Sequence, residues 1–464
     1  VVAHPAFRSA RSGVRWTMKQ STTHHESAEA RGSHAIETIV ALASGTGTGA
    51  VAVIRLSGPR TRVVLENLTK SPPVPREASL RRIGDIDRGL VLWFPAPASF
   101  TGEDMAELQV HGGRAVVKAV VDAVLAIHGT RLAEPGEFAR RAFENGKLDL
   151  TEVEGLADLV SAETELQRRQ ALAQSEGGLR RLYEGWRAVL LRAQSMMEAA
   201  LDFSDEADVA EDAIAKAGDA VVPLLRDVVD HLADQTGERL RDGFRVVIAG
   251  PPNAGKSSIL NALAKRDVAI VSEEAGTTRD VIEVHLDVGG VPVIIADTAG
   301  LREGGGAVES EGMRRAVSRA QSADLVLWIV DGPAQESPTP PDFASSPVLT
   351  VFNKSDLRPA PSHAAGLSIS TRTGEGLEAL IAALGAQATE GLEPHASSPI
   401  TRSRHRVELV SVRDALKRFV NHDLDAELRA EELRVAAHHL GRLTGRIDVE
   451  EVLGAIFSEF CIGK

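Results

Sequence analysis

A single cysteine, Cys461, stands in the 464 residues. No intramolecular disulfide can form, which excludes a secreted scaffold held by disulfides and fits a reducing compartment. No apolar run approaches the roughly 18 residues that a membrane span needs, and the longest, such as Leu325 to Val330, are the size of a strand. Positive charge is also in deficit: 52 Lys and Arg against 65 Asp and Glu leave a net charge of −13. Wholesale coating of nucleic acid runs on clustered Lys and Arg, so such a role is disfavoured and only a local basic groove stays open. A cytoplasmic chain without a membrane segment is the expectation.

What is there is ordinary for a globular protein: 43% hydrophobic and 25% charged residues. At about 150 residues per domain the length suggests roughly three domains. Residues 1–34 stand apart. Their first part carries Arg8, Arg11, Arg15 and Lys19 and no acidic residue, the composition of an organellar transit peptide, or of an extension ahead of a start at Met18. They are expected to be disordered and are set outside the fold.

Residues 35–150 read as an α+β domain. Two β-rich runs, Glu37 to Ser44 and Ala50 to Ser57, flank a Gly/Thr turn, and further strand-like runs at Leu90 to Phe94 and Ala106 to Val110 precede a helical pattern from Arg114 to Ile127. Residues 151–242 turn to Ala, Leu, Glu and Arg with one proline, Pro223, which predicts long helices. Residues 243–387 alternate strand and helix, the pattern of a doubly wound α/β sheet. Residues 388–464 are helical again, with Val449, Val452, Leu453, Ile456, Phe457 and Phe460 in an apolar stripe expected to be core. The simplest arrangement packs the two helical parts together and inserts the α/β unit between them. Gly332 to Pro347 reads as a plain surface connection.

The strand Phe244 to Ala249 runs directly into Gly250-Pro-Pro-Asn-Ala-Gly-Lys-Ser. This is a phosphate-binding P-loop in its strand–loop–helix setting: glycines let backbone N–H groups turn around phosphates, Lys256 reaches the β/γ oxygens and Ser257 takes Mg²⁺. Asn353-Lys-Ser-Asp356 follows a second strand and places a carboxylate to accept from the N1–H and 2-amino group of guanine; adenine offers neither donor. Ser370-Thr-Arg372 supplies a supporting loop. Asp297-Thr-Ala-Gly300 closes a third strand, with Asp297 towards Mg²⁺ and Gly300 sensing the γ-phosphate, and Thr277 and Thr278 are candidate switch threonines. The nucleotide-contacting set is therefore Asn253, Ala254, Gly255, Lys256, Ser257 and Ser258; Ser272, Glu273, Glu274, Ala275, Gly276, Thr277 and Thr278; Asp297, Thr298, Ala299 and Gly300; Asn353, Lys354, Ser355 and Asp356; and Ser370, Thr371 and Arg372. A Ras-like GTP-binding switch follows.

Leu301 occupies the place where many GTPases carry a water-orienting glutamine, so a polar group from the glycine-rich stretch beyond it, Glu303, Glu309 or Glu311, is needed. A monovalent cation can supply fixed positive charge at the β–γ bridge, and the amide oxygen of Asn253 suits one. Two functions compete: an enzyme whose GTP cycle drives a modification, and a GTP-dependent regulatory or assembly switch with no direct part in the chemistry. Thr401 to Lys464 holds as many acidic as basic residues and does not separate them.

The motifs Ser99-Phe-Thr-Gly-Glu-Asp, His111-Gly-Gly, Pro135-Gly-Glu-Phe, Lys147-Leu-Asp-Leu, Gly276-Thr-Thr-Arg-Asp280 and Phe460-Cys-Ile-Gly-Lys together resemble those of the tRNA-modification GTPases called MnmE or TrmE, from about Glu37 to Lys464. The resemblance implies an N-terminal domain that binds 5-formyltetrahydrofolate or a related reduced folate and mediates homodimerisation, a helical domain, and a GTPase inserted into it. It implies a partner, the flavoprotein MnmG, in a heterotetramer that adds an aminomethyl or carboxymethylaminomethyl group at C5 of the wobble uridine of certain tRNAs. Carried over by motif, folate contacts fall on Arg55, Glu107, Lys147 and Lys464. Asn253, Ser272, Glu274 and Thr277 would hold a stimulating K⁺, Ser257 and Thr278 Mg²⁺, and Glu309 the catalytic water beside Lys256. Cys461 has two readings, a thiolate nucleophile or a small residue beside the apolar stripe.

Overall fold

The computed structural model describes residues 37–464 apart from 46, 204–206, 267, 271–282, 298–322, 332–339, 341–342, 344–345, 358–365, 391–399, 422–423, 448–452, 455, 458–459, 461–462 and 464. The chain divides into two units. One holds the described residues up to Ser99, then Glu103–Ala133 and Gly463; the other holds Phe100–Gly102 and the described residues from Glu134 on.

In the first unit β1 (Thr38–Leu42) and β2 (Gly49–Ser57) are followed by α1 (Thr61–Thr69), β3 (Ser79–Ile83), β4 (Asp87–Phe94), β5 (Met105–Gly112), α2 (Arg114–Leu125) and β6 (Thr130–Leu132). The sheet order is β3-β4-β5-β2-β1-β6, antiparallel except where β1 meets β6. Alternation decides which side is wet. Ala52, Ile54 and Leu56 of β2 and Ala106, Leu108 and Val110 of β5 turn inward against Val64 and Leu65 of α1 and Val120 and Val124 of α2, all fully or almost fully buried. Each such Leu or Ile contributes about 1.5–3 kcal/mol by leaving water. Val51, Val53 and Arg55, between them, face the opposite side. The expected β1–β2 pair is present, with Ile39 opposite Ser57.

The second unit begins with α3 (Glu137–Glu144), α4 (Leu150–Ser161), α5 (Glu165–Ser175), α6 (Gly178–Asp202), α7 (Ala207–Ala233) and α8 (Thr236–Asp242). α4 and α5 start on full capping boxes, Asp149 with Glu152 and Thr164 with Gln167, so two orphan backbone donors are satisfied at each start. Next come β7 (Phe244–Ala249), α9 (Lys256–Leu263), β8 (Glu283–Val288), β9 (Val291–Asp297), β10 (Leu325–Asp331), β11 (Val348–Asn353), β12 (Leu367–Ser368), α10 (Leu377–Thr389), α11 (Ser403–Val420) and α12 (Ala426–Leu443). The second sheet runs β12-β11-β10-β7-β9-β8. It is parallel but for the β8–β9 hairpin, the parallel order that crossover connections impose.

α6 and α7, before this sheet in sequence, share one core with α11 and α12, after it: Leu190, Met197, Val221 and Val228 pack with Leu409, Leu416, Phe419, Leu433 and Leu440. The α/β part is thus inserted into a helical bundle. Its two necks meet at one carboxylate. Asp158 Oδ1 of α4 accepts from Arg241 Nε at 3.1 Å, just before β7, and from Arg402 Nη2 at 2.8 Å, just before α11. One turn earlier on α4, Glu154 accepts from Arg404 Nε and Nη2 at 2.5 and 2.7 Å and lies 2.9 Å from His405 Nε2; Glu154 and His405 are wholly buried.

The C-terminal stripe is core as expected. Ile456, Phe457 and Phe460 pack with Ala139, Leu150 and Val153; Val449 and Val452 lie outside the described residues. The Gly332 to Pro347 stretch is more than a surface connection, because Phe343 is buried against Trp328 with ring centroids 5.9 Å apart.

Burial pushes the Glu154 carboxyl up, but the charges of His405 and Arg404 and their hydrogen bonds outweigh it and hold it well below its ordinary value of 4.5. A depressed folded value means stability that is present above the unfolded value and lost as pH falls below it. Glu154→Gln is expected to cost about 3–5 kcal/mol at neutral pH by leaving the Arg404 guanidinium without this carboxylate. Urea unfolding should show that the gap between parent and variant narrows as pH drops from 6 to below about 4.

Candidate nucleotide site

Strands β7, β10 and β11 end at one edge of the second sheet, the carboxyl edge where open α/β sheets bind ligands. From β7 the chain enters the loop Gly250–Gly255 and then α9. At Gly250 (φ +149°) a Cβ would stand 2.3 Å from the Ile329 carbonyl oxygen, so only glycine lets the loop leave the sheet this close to β10. Asn253 has φ +63° and Gly255 φ +94°. These left-handed turns roll the loop over the start of α9, whose first N–H groups are unsatisfied donors. Lys256 Nζ donates to the carbonyls of Gly250 and Pro251, each at 2.9 Å, which folds the ammonium across the loop's mouth. Ser257 and Ser258 follow on the exposed first turn of α9.

The base-reading motif is bonded into this loop. Asn353 at the end of β11 is 1% exposed; its Nδ2 donates to the Ala254 carbonyl at 3.0 Å, and its Oδ1 accepts from Thr371 N at 3.4 Å. A Cβ on Gly255 would lie 2.2 Å from the same Nδ2, so that glycine serves the base site as well as the phosphate loop. Lys354, at φ +65°, donates from Nζ to the Asn253 carbonyl at 2.9 Å and to Asp331 Oδ2 at 2.6 Å. Ser355 N donates to the Ile369 carbonyl at 3.0 Å. Asp356 Oδ1 accepts from Ser370 Oγ at 2.7 Å, and Ser370 Oγ in turn accepts from Thr373 N at 3.2 Å. Arg372, largely exposed, has Nη1 at 3.7 Å from Asp356 Oδ2. The Asp356 carboxylate is therefore aimed by a buried serine, with the exposed Arg372 guanidinium at its rim.

Asp331 is the residue that sequence reasoning missed. It closes the apolar run of β10 and pairs in register with Asn353; an acid at the carboxyl end of a parallel strand was the available signal. Asp297 is the last residue of β9, its backbone beside Ile248 of β7. The other expected switch and catalytic residues, Ser272, Glu273, Glu274, Ala275, Gly276, Thr277, Thr278, Thr298, Ala299, Gly300 and Glu309, lie outside the described residues.

The helical part grips the α/β part at the strands that adjoin those segments. Glu163 Oε2, between α4 and α5, is 2.8 Å from His285 Nδ1 on β8, while Gln167 and Gln170 of α5 hold α8, just before β7, by donating to the carbonyls of Arg241 and Gly237 at 3.3 and 3.0 Å. At Gly290 a Cβ would stand 3.1 Å from Leu166. A cleft of about 220 Å³ lies between these elements, lined among others by Asp158, Glu163, Arg241 and His285.

In the first unit the two folate candidates are brought together on neighbouring strands. Arg55 Nε and Nη2 donate to Glu107 Oε1 at 3.1 and 3.0 Å, and Arg55 Nη1 to the Gly463 carbonyl at 3.5 Å. They form one half-buried ion pair rather than two separate contacts, which leaves Glu107 Oε2 without a hydrogen bond among the described residues. Lys147 belongs to the second unit, its stem against Gly102 and near Asn145, whose Nδ2 donates to the Thr101 carbonyl at 2.7 Å. Cys461 and Lys464 lie outside the described residues. Among the described residues no group of His, Cys, Asp and Glu could hold a metal ion, and no helix is long and apolar enough to cross a membrane.

Two family models match the chain: the GTP-binding protein TrmE N-terminus over residues 38–147 and the MnmE helical domain over residues 150–461. The tRNA modification GTPase MnmE of Parvibaculum lavamentivorans is 54% identical over 441 residues, 92% of this chain and 100% of that protein. The protein of the same description from Paramagnetospirillum magneticum is 52% identical over 444 residues, 92% of this chain and 100% of its own length. That from Beijerinckia indica is 49% identical over 452 residues, 95% of this chain and 100% of its own. With two family models covering residues 38–147 and 150–461, and with relatives at about half identity over nearly their whole length, the chain belongs to the MnmE family of tRNA modification GTPases.

Proposed function

We propose that the chain binds GTP, hydrolyses it, and spends the nucleotide cycle on rearranging a complex that modifies the wobble uridine of certain tRNAs at C5, with the flavoprotein MnmG as partner. The observation that carries the nucleotide reading is the bonding of Asn353 and Lys354 to the carbonyls of Ala254 and Asn253, because it fixes the distance between base reader and phosphate loop. Asp356 then accepts from both donors of the guanine edge, Thr371 N–H and the buried Asn353 amide support the base's oxygen side, and Lys256 swings from two backbone carbonyls to the phosphates. That exchange replaces neutral partners by anionic ones, which charge-assisted bonds favour.

Ser257, at the first turn of α9, offers a hydroxyl where Mg²⁺ sits in P-loop proteins, with Thr278 as its expected companion. Asn253 turns an exposed side chain out of the loop at positive φ, which suits a K⁺ completed by Ser272, Glu274 and Thr277. A bound monovalent cation supplies fixed positive charge opposite the β–γ bridge. Glu309 orients water in place of the missing glutamine. Closure of two GTPase parts in a homodimer excludes solvent from this assembly. In the first unit Glu107 Oε2, without a hydrogen bond among the described residues, fits the amide and amino edge of a reduced folate while Oε1 is held by Arg55. We place the protein in the cytoplasm.

Asp356→Asn turns one acceptor into a donor facing the guanine edge. GTP affinity should fall by about 3 kcal/mol, on the order of a hundredfold, while xanthosine triphosphate, with an oxygen in place of the 2-amino group, should gain. Fluorescence titration with both nucleotides checks this, and undiminished GTP binding would remove the base-reading assignment. GTP turnover at equal ionic strength should be faster in KCl than in NaCl by at least about tenfold. Equal rates would leave Asn253 without its cation role.

A further inference from the structure

Both necks of the α/β insertion hang on one atom. Asp158 Oδ1 accepts from Arg241 Nε at 3.1 Å on the outgoing side and from Arg402 Nη2 at 2.8 Å on the returning side. Oδ2 of the same carboxylate is buried and has no hydrogen bond among the described residues. An ionised carboxylate accepts at both oxygens, and a buried acceptor left unused is costly. Two cations thus crowd one oxygen while a second stands beside it, and either arginine has an alternative seat. The same three residues have two discrete ways to bond, which is the physical requirement for passing a displacement through a packed interior.

Around this carboxylate the fixed contacts and the releasable ones are separate. One turn back on α4, Glu154 holds Arg404 by two bonds and contacts His405, which anchors the start of α11 two residues past Arg402. On the other side, a cleft of about 220 Å³ lies between α4 and α5 and the strands β8 and β9, lined by Asp158 and Arg241 together with Glu163, His285 and Ile294. The Glu163–His285 pair that bridges these elements is 32% exposed on both side chains, and an ion pair that water can reach adds little stability. From the helical part, Leu166 and Leu240 alone among the described residues join the apolar core of the α/β part. A rigid base, an adjoining void and a weak outlying contact allow the α/β part to turn against α4 while the core of the bundle stays intact.

We propose that Asp158 is a positioning residue for the coupled reaction: the α/β part turns about it, one arginine passing from Oδ1 to Oδ2 as the Glu163–His285 pair parts, and the turn converts GTP turnover into rearrangement of the modifying complex. That role rests on the reading of this chain as a GTP-driven tRNA modification enzyme. Asp158 lies outside the nucleotide loops, so its effect falls on how hydrolysis is used and not on hydrolysis itself. Asn in its place keeps the volume but sets an uncharged amide, with N–H groups of its own, against two guanidinium donors. Glu keeps the charge and both oxygens, and the adjoining cleft gives its longer stem room.

The test measures, for the full-length chain with tRNA and the flavoprotein partner, GTP turnover and the wobble uridine modified per GTP hydrolysed, in the parent, Asp158→Asn, Asp158→Glu and Arg241→Gln. In Asp158→Asn the KM for GTP and the turnover rate are expected to stay within about twofold of the parent while the yield per GTP falls at least about tenfold. Asp158→Glu should recover most of that yield. Arg241→Gln frees the outgoing neck alone and should reproduce the loss, and combining it with Asp158→Asn should cost no more than either change by itself. Circular dichroism shows which variants fold; where Asp158→Asn does not, Arg241→Gln decides. A parent-like yield per GTP in the folded variants, a loss that Asp158→Glu shares in full, or turnover that falls in step with modification overturns the coupling role and leaves the tRNA modification reading standing. A parent that hydrolyses GTP and modifies no uridine removes that reading, and the coupling role with it.

Discussion

Two side-chain hydrogen bonds, from Asn353 to the Ala254 carbonyl and from Lys354 to the Asn253 carbonyl, join the end of β11 to the loop after β7. Everything the nucleotide site can do depends on them. A P-loop alone recognises phosphates on any nucleotide, and a lone aspartate at a strand end recognises nothing in particular. On the proposed reading, the two bonded together set the distance between triphosphate and base. The strain in the joint is visible: Asn253 and Lys354 both hold positive φ, a conformation that L-residues adopt at a cost of order 1 kcal/mol or more and keep only when the surroundings over-determine it. Asp331 adds the counter-charge that keeps Lys354 in place.

A second constraint concerns how a nucleotide site speaks to a helical bundle. The α/β part leaves the bundle after Arg241 and returns at Arg402, and both arginines bind Asp158, so one carboxylate on α4 holds both ends of the insertion. From the same region Glu163 reaches His285 on β8, the strand that follows residues 271–282, and β9 leads into residues 298–322. The buried Glu154, Arg404 and His405 group directly behind Asp158 gives the tether a rigid base.

Much of this was legible where the signal is local. The P-loop announces itself because glycines at fixed offsets are needed to turn a backbone around phosphate, and the β1–β2 pair because a glycine-rich turn separates two β-branched runs. The inserted order of the parts followed from two similar helical stretches around one α/β pattern. What stayed hidden depends on strand order and distant pairing. Arg55 and Glu107 read as two independent contacts until β2 is known to lie beside β5. Asp158 carries no local mark, since its partners lie far along the chain in both directions. Phe343 sits in a Pro/Ser-rich stretch whose average composition conceals a single buried ring.

On the proposed reading, the Asp356 carboxylate accepts from two N–H donors of guanine at a fixed distance from the phosphate loop. Competitive displacement of a fluorescent guanine nucleotide by GTP, ITP and ATP tests it most directly, since inosine keeps N1–H and lacks only the 2-amino group. The order expected is GTP first, ITP weaker by about one charge-assisted hydrogen bond, roughly 1.5–3 kcal/mol, and ATP far behind. Displacement by ATP as effective as that by GTP would contradict the account at its root.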